Sequence, residues 1–493
     1  MANLYSKLDD VFVEHANDDC LRLTDGGVWR YQDLREMVAR MSQVLRDRRV
    51  TPGDRVVVQV EKSAENLALY LATLCVGGIY VPLNTAYTAA ELDYFVEDAA
   101  PRLFVGGSER ADVDSVTLLP DGTGTLIAAL PEGVPAMAVE ARASDDLAAI
   151  LYTSGTTGRS KGAMLSHGNL TSNANSLCEA WGWQQDDVLL HALPIFHVHG
   201  LFIASHCALL NGTPMLWLSK FDPEQVQRVL AEATVMMGVP TFYTRLLADE
   251  TFPRTSLDHI RVFICGSAPL TEVVFKQWEH RTGHRILERY GMSETIINTT
   301  NPLDGERVPG TVGFGLPGLE LRIADESGQA LPAGQVGTIE VRGPSVFGGY
   351  WRMPEKTAEE IRDNGYFITG DLGMLDDDGR LSIVGRSKDL VITGGYNVYP
   401  KEVEGVIDNM PAVSESAVIG VAHPDFGEGV VAVVVPAAGK VSLAEVTAVM
   451  DGQLARFKHP KAVINVDALP RNTMGKVQKK LLRDTYADLL SNV

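Results

Sequence analysis

The densest group of chemically capable residues lies between Tyr152 and Gly162, in the stretch YTSGTTGRSKG. Glycine admits backbone conformations closed to other residues, so successive N–H groups near Gly155 and Gly158 can converge on one anion. Thr153, Ser154, Thr156 and Thr157 add hydroxyl donors, and Lys161 adds a point charge. That is the chemistry of a phosphate cradle. The same composition suits a mobile surface loop, and the Walker pattern G-x-x-x-x-G-K-[ST] cannot be laid on it. The stretch alone leaves both readings open.

The elements around it alternate. DRVVVQV reads as a buried strand, SAENLALYLATLCVGG as a helix ending in glycine, and IYVPLN as a strand again. VLLHALP, HGLFIASHCALLNG and MLWL repeat the order strand, helix, strand. FDPEQVQRVLAEA opens with a capping Asp222 and with Pro223 at the first helical position, and TVMMGV follows as a strand. This rhythm predicts an α/β fold of parallel sheets covered by helices. From about residue 311 short alternating segments (TIEVRG, YFITGD, RLSIVGR) predict a small antiparallel, β-barrel-like unit over 311–386. The chain restarts after GRSKD, which divides it into a large domain over 1–386 and a small α+β domain over 387–493.

Bulk properties narrow the function classes. A length of 493 residues suits about three domains of ordinary size. With 45% apolar and 22% charged residues, the chain has the composition of a globular enzyme and not of a disordered one. A net charge of -20 argues against nucleic acid or an anionic membrane as partner. Any bound anion must sit in a local pocket. Five scattered cysteines without C-x-x-C spacing fit neither a disulfide framework nor a zinc site. With no secretory pattern at the N-terminus and no bilayer-length apolar run, the expectation is a cytoplasmic protein.

Further segments follow the loop in a telling order: HALPIFHVHG at 191–200, GSAPL at 266–270, ERYGMSET at 288–295, YFITGDLG at 366–373, GRSKDLVITGGYNVYPKEVE at 385–404 and PRNTMGKVQ at 470–478. Together they resemble the adenylate-forming superfamily of acyl-CoA synthetases, firefly luciferase and peptide-synthetase adenylation domains. The resemblance runs over the whole chain and implies a two-step ligase. A carboxylate attacks the α-phosphate of ATP, and a thiol then displaces AMP.

The resemblance implies a role for each segment. Thr153, Ser154, Gly155, Thr156, Thr157, Gly158 and Lys161 would hold the triphosphate. Gly266, Ser267 and Ala268 would line the adenine pocket, with Glu288, Arg289, Tyr290, Gly291, Met292 and Ser293 around the nucleotide. Tyr290 would stack on adenine and Ser293 would touch the α-phosphate. Glu294 would hold Mg²⁺, a hard cation suited to one carboxylate and phosphate oxygens. Asp371 would bind the ribose hydroxyls, and Arg386 the ribose or phosphates. Lys476 would meet the charge developing at the carboxylate and α-phosphate. The small domain would rotate about Lys388 between half-reactions. Gly394, Gly395 and Tyr396 would then flank the pantetheine of coenzyme A, where a side chain on either glycine would block the tunnel.

The same resemblance bears on the acid and the acceptor. Peptide-synthetase domains carry an aspartate where this chain has His197, after Phe196, which disfavours an amino acid. No carrier domain is expected after Lys476, so the acceptor is expected to be free coenzyme A. Arg245, one helical turn past Pro240, and His199, with Ser267, are expected to line the acyl pocket beside the gating His197. A buried arginine requires a partner, and a second carboxylate on the substrate would supply one. The combination looks most like malonyl-CoA synthetases, which take malonate and often methylmalonate. A short- or medium-chain acyl-CoA synthetase and a carrier-loading adenylation enzyme remain alternatives. An ATP-binding regulatory module or a P-loop hydrolase is the reading from another class.

Overall fold

The computed structural model describes residues 2–153, 160–472 and 475–490. Two largely parallel sheets carry the first two-thirds of the chain. The larger has nine strands. Its parallel centre runs through Leu287–Tyr290, Val262–Cys265, Val235–Gly238, Leu189–His191, Met215–Trp217 and Asp19–Leu23. These strands are apolar runs such as VMMG and VFIC, buried on both faces, as parallel strands covered by helices must be. The second sheet has six strands. It closes with the antiparallel pair Leu147–Thr153 and Lys161–Ser166. The fold is α/β.

Helices start where capping chemistry allows. Ser63 caps Ala64–Cys75 through the Asn66 N–H, and Ser166 and Asn169 form a capping box on His167–Ala180. Asp222 caps Pro223–Val229, as its position before a proline predicts. The segment HGLFIASHCALLNG is not one α-helix. It opens as a π-helix over His199–Ser205 and tightens to α over His206–Leu210. The wide turn follows from its packing: Gly200 presses against the Pro194 carbonyl, and its own carbonyl is taken by two side chains.

A four-stranded antiparallel sheet follows, in the order Glu320–Ala324, Gly337–Arg342, Phe367–Leu375, Leu381–Arg386. It begins at Glu320 and not near residue 311, because Phe314–Gly315 pairs with Thr299–Thr300 at the edge of the large sheet. The last sheet holds Val391–Thr393, Tyr396–Val398, Val413–His423 and Gly427–Pro436, with Ala462–Asn465 alongside. Two apolar clusters drawn only from residues between Val391 and Leu490 pack on its faces, while the main cluster ends at Leu381 and Ile383. Among the described residues no helix is long and apolar enough to cross a membrane.

Candidate active site

One strand serves two ends of a cleft. Along Leu287–Tyr290 side chains alternate, so Arg289 and Tyr290 point to opposite faces. The Tyr290 hydroxyl donates to Asp371 Oδ2 at 2.6 Å, and Arg386 Nε lies 3.1 Å from Asp371 Oδ1. Asp371 and Arg386 are cross-strand partners in the antiparallel sheet, the spacing at which opposite charges meet. Their pairing holds the Arg386 pKa above its ordinary value. Asp371 is 6% exposed and has one carboxylate oxygen on each of these partners; two adjacent carboxylate oxygens are what a vicinal diol requires.

A second group forms behind the strand Lys161–Ser166. Lys161 Nζ lies 3.0 Å from Glu360 Oε1 and 4.1 Å from the centre of the Tyr350 ring. The Tyr350 hydroxyl stands 2.6 Å from Glu360 Oε2 and 3.0 Å from Glu294 Oε1. It has one proton, so it serves one carboxylate at a time. Glu294 is 6% exposed, and burial pushes its pKa upward. A buried carboxylate beside a second one, with a lysine at the rim, is suited to a hard cation and to phosphate oxygens. Thr153 adds a long 3.4 Å contact to the Lys161 carbonyl.

The third group is on the opposite face. Arg289 is 4% exposed, and its Nε and Nη2 have no hydrogen-bond partner among the described residues. Burial pulls its pKa down to about 10, which leaves it cationic at neutral pH. Gly266 makes room for it: a Cβ there would stand 2.5 Å from the guanidinium carbon. Ser267, in a left-handed conformation at φ 70, brings its hydroxyl 3.2 Å from His199 Nδ1. His199 Nε2 is buried and also lacks a partner among the described residues. Burial, then the Arg289 charge, pushes the His199 pKa down. His197, near Lys476 and Arg289, is pushed down to about 3, chiefly by burial. Buried polar atoms without a partner cost free energy until one meets them.

Lys476 joins the three groups. It lies in the electrostatic reach of Arg386, Asp371, Glu294 and Arg289. Its N–H donates to Asn472 Oδ1 at 2.9 Å, and Gly475 packs on Thr241. Burial, then Arg386, pulls its pKa down to about 8. The cation is therefore complete below that pH and is lost as pH rises through it. We expect kcat/KM for ATP in pyrophosphate release to fall above pH about 8, whereas an unperturbed lysine would hold to about 10.4. The kcat limb should lie higher, because bound triphosphate favours the charged form. Lys476→Arg should remove the kcat/KM limb, and a pH–rate series on both proteins checks this.

Other expected residues fall elsewhere. Ser154, Gly155, Thr156, Thr157 and Gly158 lie outside the described residues. Ala268, Gly291, Met292 and Ser293 are half-buried in the turns that follow the strands carrying Cys265 and Tyr290. Glu288 is buried against Lys401 of the last unit, and burial raises its pKa to about 8; it lies on the same face of its strand as Tyr290. Arg245, expected in the acyl pocket, is exposed, with its guanidinium 4.9 Å from the Phe221 ring centre. Helical phase is the reason: Phe242, Tyr243, Leu246 and Leu247 take the buried side of Pro240–Leu247. Lys388 is exposed in the short turn Ser387–Asp389. Gly394, Gly395 and Tyr396 form the tip of an outward hairpin. Tyr396 is 59% exposed and stacks on Phe457, and a Cβ on Gly395 would meet open space. The structure does not bring this hairpin to the group around Lys476.

Tyr350, Glu360 and the unpaired state of Arg289 were not foreseen from the sequence. GGYW at 348–351 was a visible signal for Tyr350, but Glu360 lies 199 residues from its partner Lys161. Arg289 was assigned to the nucleotide because its neighbours were.

Known proteins resemble this chain. The sequence matches the family described as AMP-binding enzyme over residues 9–351, and its C-terminal domain over 402–476. The malonate–CoA ligase of Arabidopsis thaliana is 34% identical, covering 95% of this chain and 87% of its own. A feruloyl-CoA synthase of Amycolatopsis sp is 36% identical over 94% of each. The crystal structure of ATP-bound MatB from Rhodopseudomonas palustris superposes with a TM-score of 0.95 at 54% identity, covering 99% of both chains. The apo form of the same protein gives 0.86 at 54% identity, so the present arrangement is nearer the nucleotide-bound one. The chain belongs to the AMP-binding enzyme family.

Proposed function

We propose that the chain is an ATP-dependent acid–thiol ligase that activates malonate. The malonate carboxylate attacks the α-phosphate of ATP, forming malonyl-adenylate and releasing pyrophosphate. The thiol of coenzyme A then displaces AMP to give malonyl-CoA. The observation that carries the choice of acid is Arg289: a buried guanidinium with two unpaired donor atoms, beside the unpaired His199 Nε2. A monocarboxylic acid would leave these donors orphaned. The distal carboxylate of a small diacid accepts from them, with charge-assisted geometry. Relatives of similar identity are named for malonate and for ferulate, so family membership does not by itself choose the acid. The unpaired guanidinium does.

Chain residues divide the work. Lys161 offers its ammonium to the triphosphate in exchange for Glu360, and Asp371 takes the ribose. Lys476 stabilises charge as the acyl oxygen meets the α-phosphate, a positioning and electrostatic task. Mg²⁺ would be held at Glu294, a buried carboxylate that accepts from the Tyr350 hydroxyl and from no ammonium or guanidinium among the described residues; the ion would neutralise phosphate charge there. Rotation of the last unit about Lys388 would withdraw Lys476 and deliver the Gly394–Gly395 hairpin for thioester formation. The free cysteines support a reducing, cytoplasmic setting.

The test is a panel of malonate, methylmalonate, acetate, butyrate and ferulate, read by pyrophosphate release and by coenzyme A thioester. Malonate is expected to exceed acetate and butyrate by roughly a hundredfold or more, the cost of leaving a buried cation unpaired. Preference for butyrate or ferulate would overturn the diacid reading. Orthophosphate in place of pyrophosphate would overturn adenylation itself.

A further inference from the structure

A second buried basic side chain, Lys62, lies one histidine away from the π-turn that carries His199. Lys62, 8% exposed, precedes the helix Ala64–Cys75. Its Nζ lies 2.8 Å from His191 Nδ1, 2.7 Å from the His191 carbonyl and 4.0 Å from the centre of the Trp217 ring. The Lys62 amino group therefore faces two hydrogen-bond acceptors and one aromatic ring, and none of these is a carboxylate. Burial pushes the Lys62 pKa down.

The Gly200 carbonyl sets the state of His191. It can only accept, so His191 Nε2 carries the hydrogen, and Nδ1 of the neutral ring accepts from the Lys62 amino group. That Nε2–H points to the Gly200 carbonyl at 2.9 Å, with Ser205 Oγ at 3.1 Å. Ser205 Oγ donates to the same carbonyl at 2.9 Å. Gly200 is the second residue of the π-helix His199–Ser205, directly after the histidine whose Nδ1 meets Ser267. Wide turns of this kind inside a helix recur at functional sites. Here the turn is held by a side-chain chain running from Lys62 through His191 to the backbone next to His199.

We propose that Lys62 and His191 are positioning residues for acid recognition: Lys62 holds the His191 ring through Nδ1, His191 pins the π-turn at the Gly200 carbonyl, and the pinned turn aims His199 Nε2 with Arg289 at the distal carboxylate of the substrate. The proposal rests on the malonate reading above. Its logic is that of a supporting shell, in which a group that never touches substrate fixes the tautomer and angle of one that does. The Lys62 amino group and the His191 ring meet Gly200, Ser205 and Trp217, none of them expected at the nucleotide or coenzyme A, which predicts a selective effect.

The experiment compares wild type, Lys62→Met and Lys62→Arg by pyrophosphate release, with KM for malonate, KM for ATP and kcat measured separately, and with thermal unfolding. Lys62→Met is expected to raise the malonate KM by about tenfold, the effect of losing a supporting contact, with the ATP KM within about twofold. Lys62→Arg, which restores a donor to His191, should recover most of the loss. An unchanged malonate KM in a folded Lys62→Met protein overturns the proposal. So does an equal rise in both KM values, which marks a general structural role. If Lys62→Met does not fold, His191→Phe takes its place under the same outcomes. Wild type that fails to use malonate sinks the functional reading; wild type that uses it, with an indifferent variant, sinks only this inference.

Discussion

Arg289→Met is expected to cut kcat/KM for malonate by roughly a hundred- to a few-thousand-fold while raising the melting temperature. The first effect follows from removing one partner of a desolvated, hydrogen-bonded charge pair, about 3–5 kcal/mol. The second follows from the free enzyme. There the guanidinium is buried with Nε and Nη2 unpaired, a state that costs folding free energy of about 1–3 kcal/mol. Methionine fills similar volume without polar atoms. Binding strength is thus stored as instability, a common cost of functional sites. Butyrate should gain activity in the variant, since its tail no longer meets a cation. Arg245→Ala is the control: exposed on its helix, it should change malonate kcat/KM by less than about tenfold. Steady-state kinetics with both acids, and thermal unfolding of the ligand-free proteins, check all three statements. Unchanged malonate kinetics in Arg289→Met would remove this arginine from acid recognition.

Lys476→Ala is expected to lower the kcat of pyrophosphate release by about 10²–10³, the loss typical of one donor aimed at developing charge. Thioester formation from supplied malonyl-adenylate should be spared. The reasoning is spatial. Lys476 stands in reach of Asp371, Glu294 and Arg289, whereas the Gly394–Gly395 hairpin points outward. One arrangement of the last unit cannot place both at the reacting atoms. A lysine needed only in the first arrangement is dispensable in the second. Single-turnover measurements with ATP and malonate, then with the adenylate and coenzyme A, separate the steps. Equal loss in both would tie Lys476 to a shared requirement and would count against the rotating arrangement.

Much of this was written locally along the chain. The apolar runs VMMG and VFIC and the cap Asp222-Pro223 each needed only neighbouring residues to be read, because hydrogen-bond capping and side-chain alternation act over a few positions. The α/β class and the family followed from these pieces taken in order. Which arginine is buried without a partner among the described residues did not. Position along a helix suggested Arg245, but the helix buries the sides carrying Phe242 and Leu246 and leaves Arg245 outside. Arg289 emerged only when Gly266 packed against its guanidinium and no acceptor among the described residues met its Nε and Nη2. Likewise Lys161, Glu294, Tyr350 and Glu360 meet from four separate elements. Sequence alone decided the parts and their local conformations, since those obey short-range rules. Tertiary packing decided which charges lost their water and whether anything replaced it, because desolvation is set jointly by every element that surrounds a group.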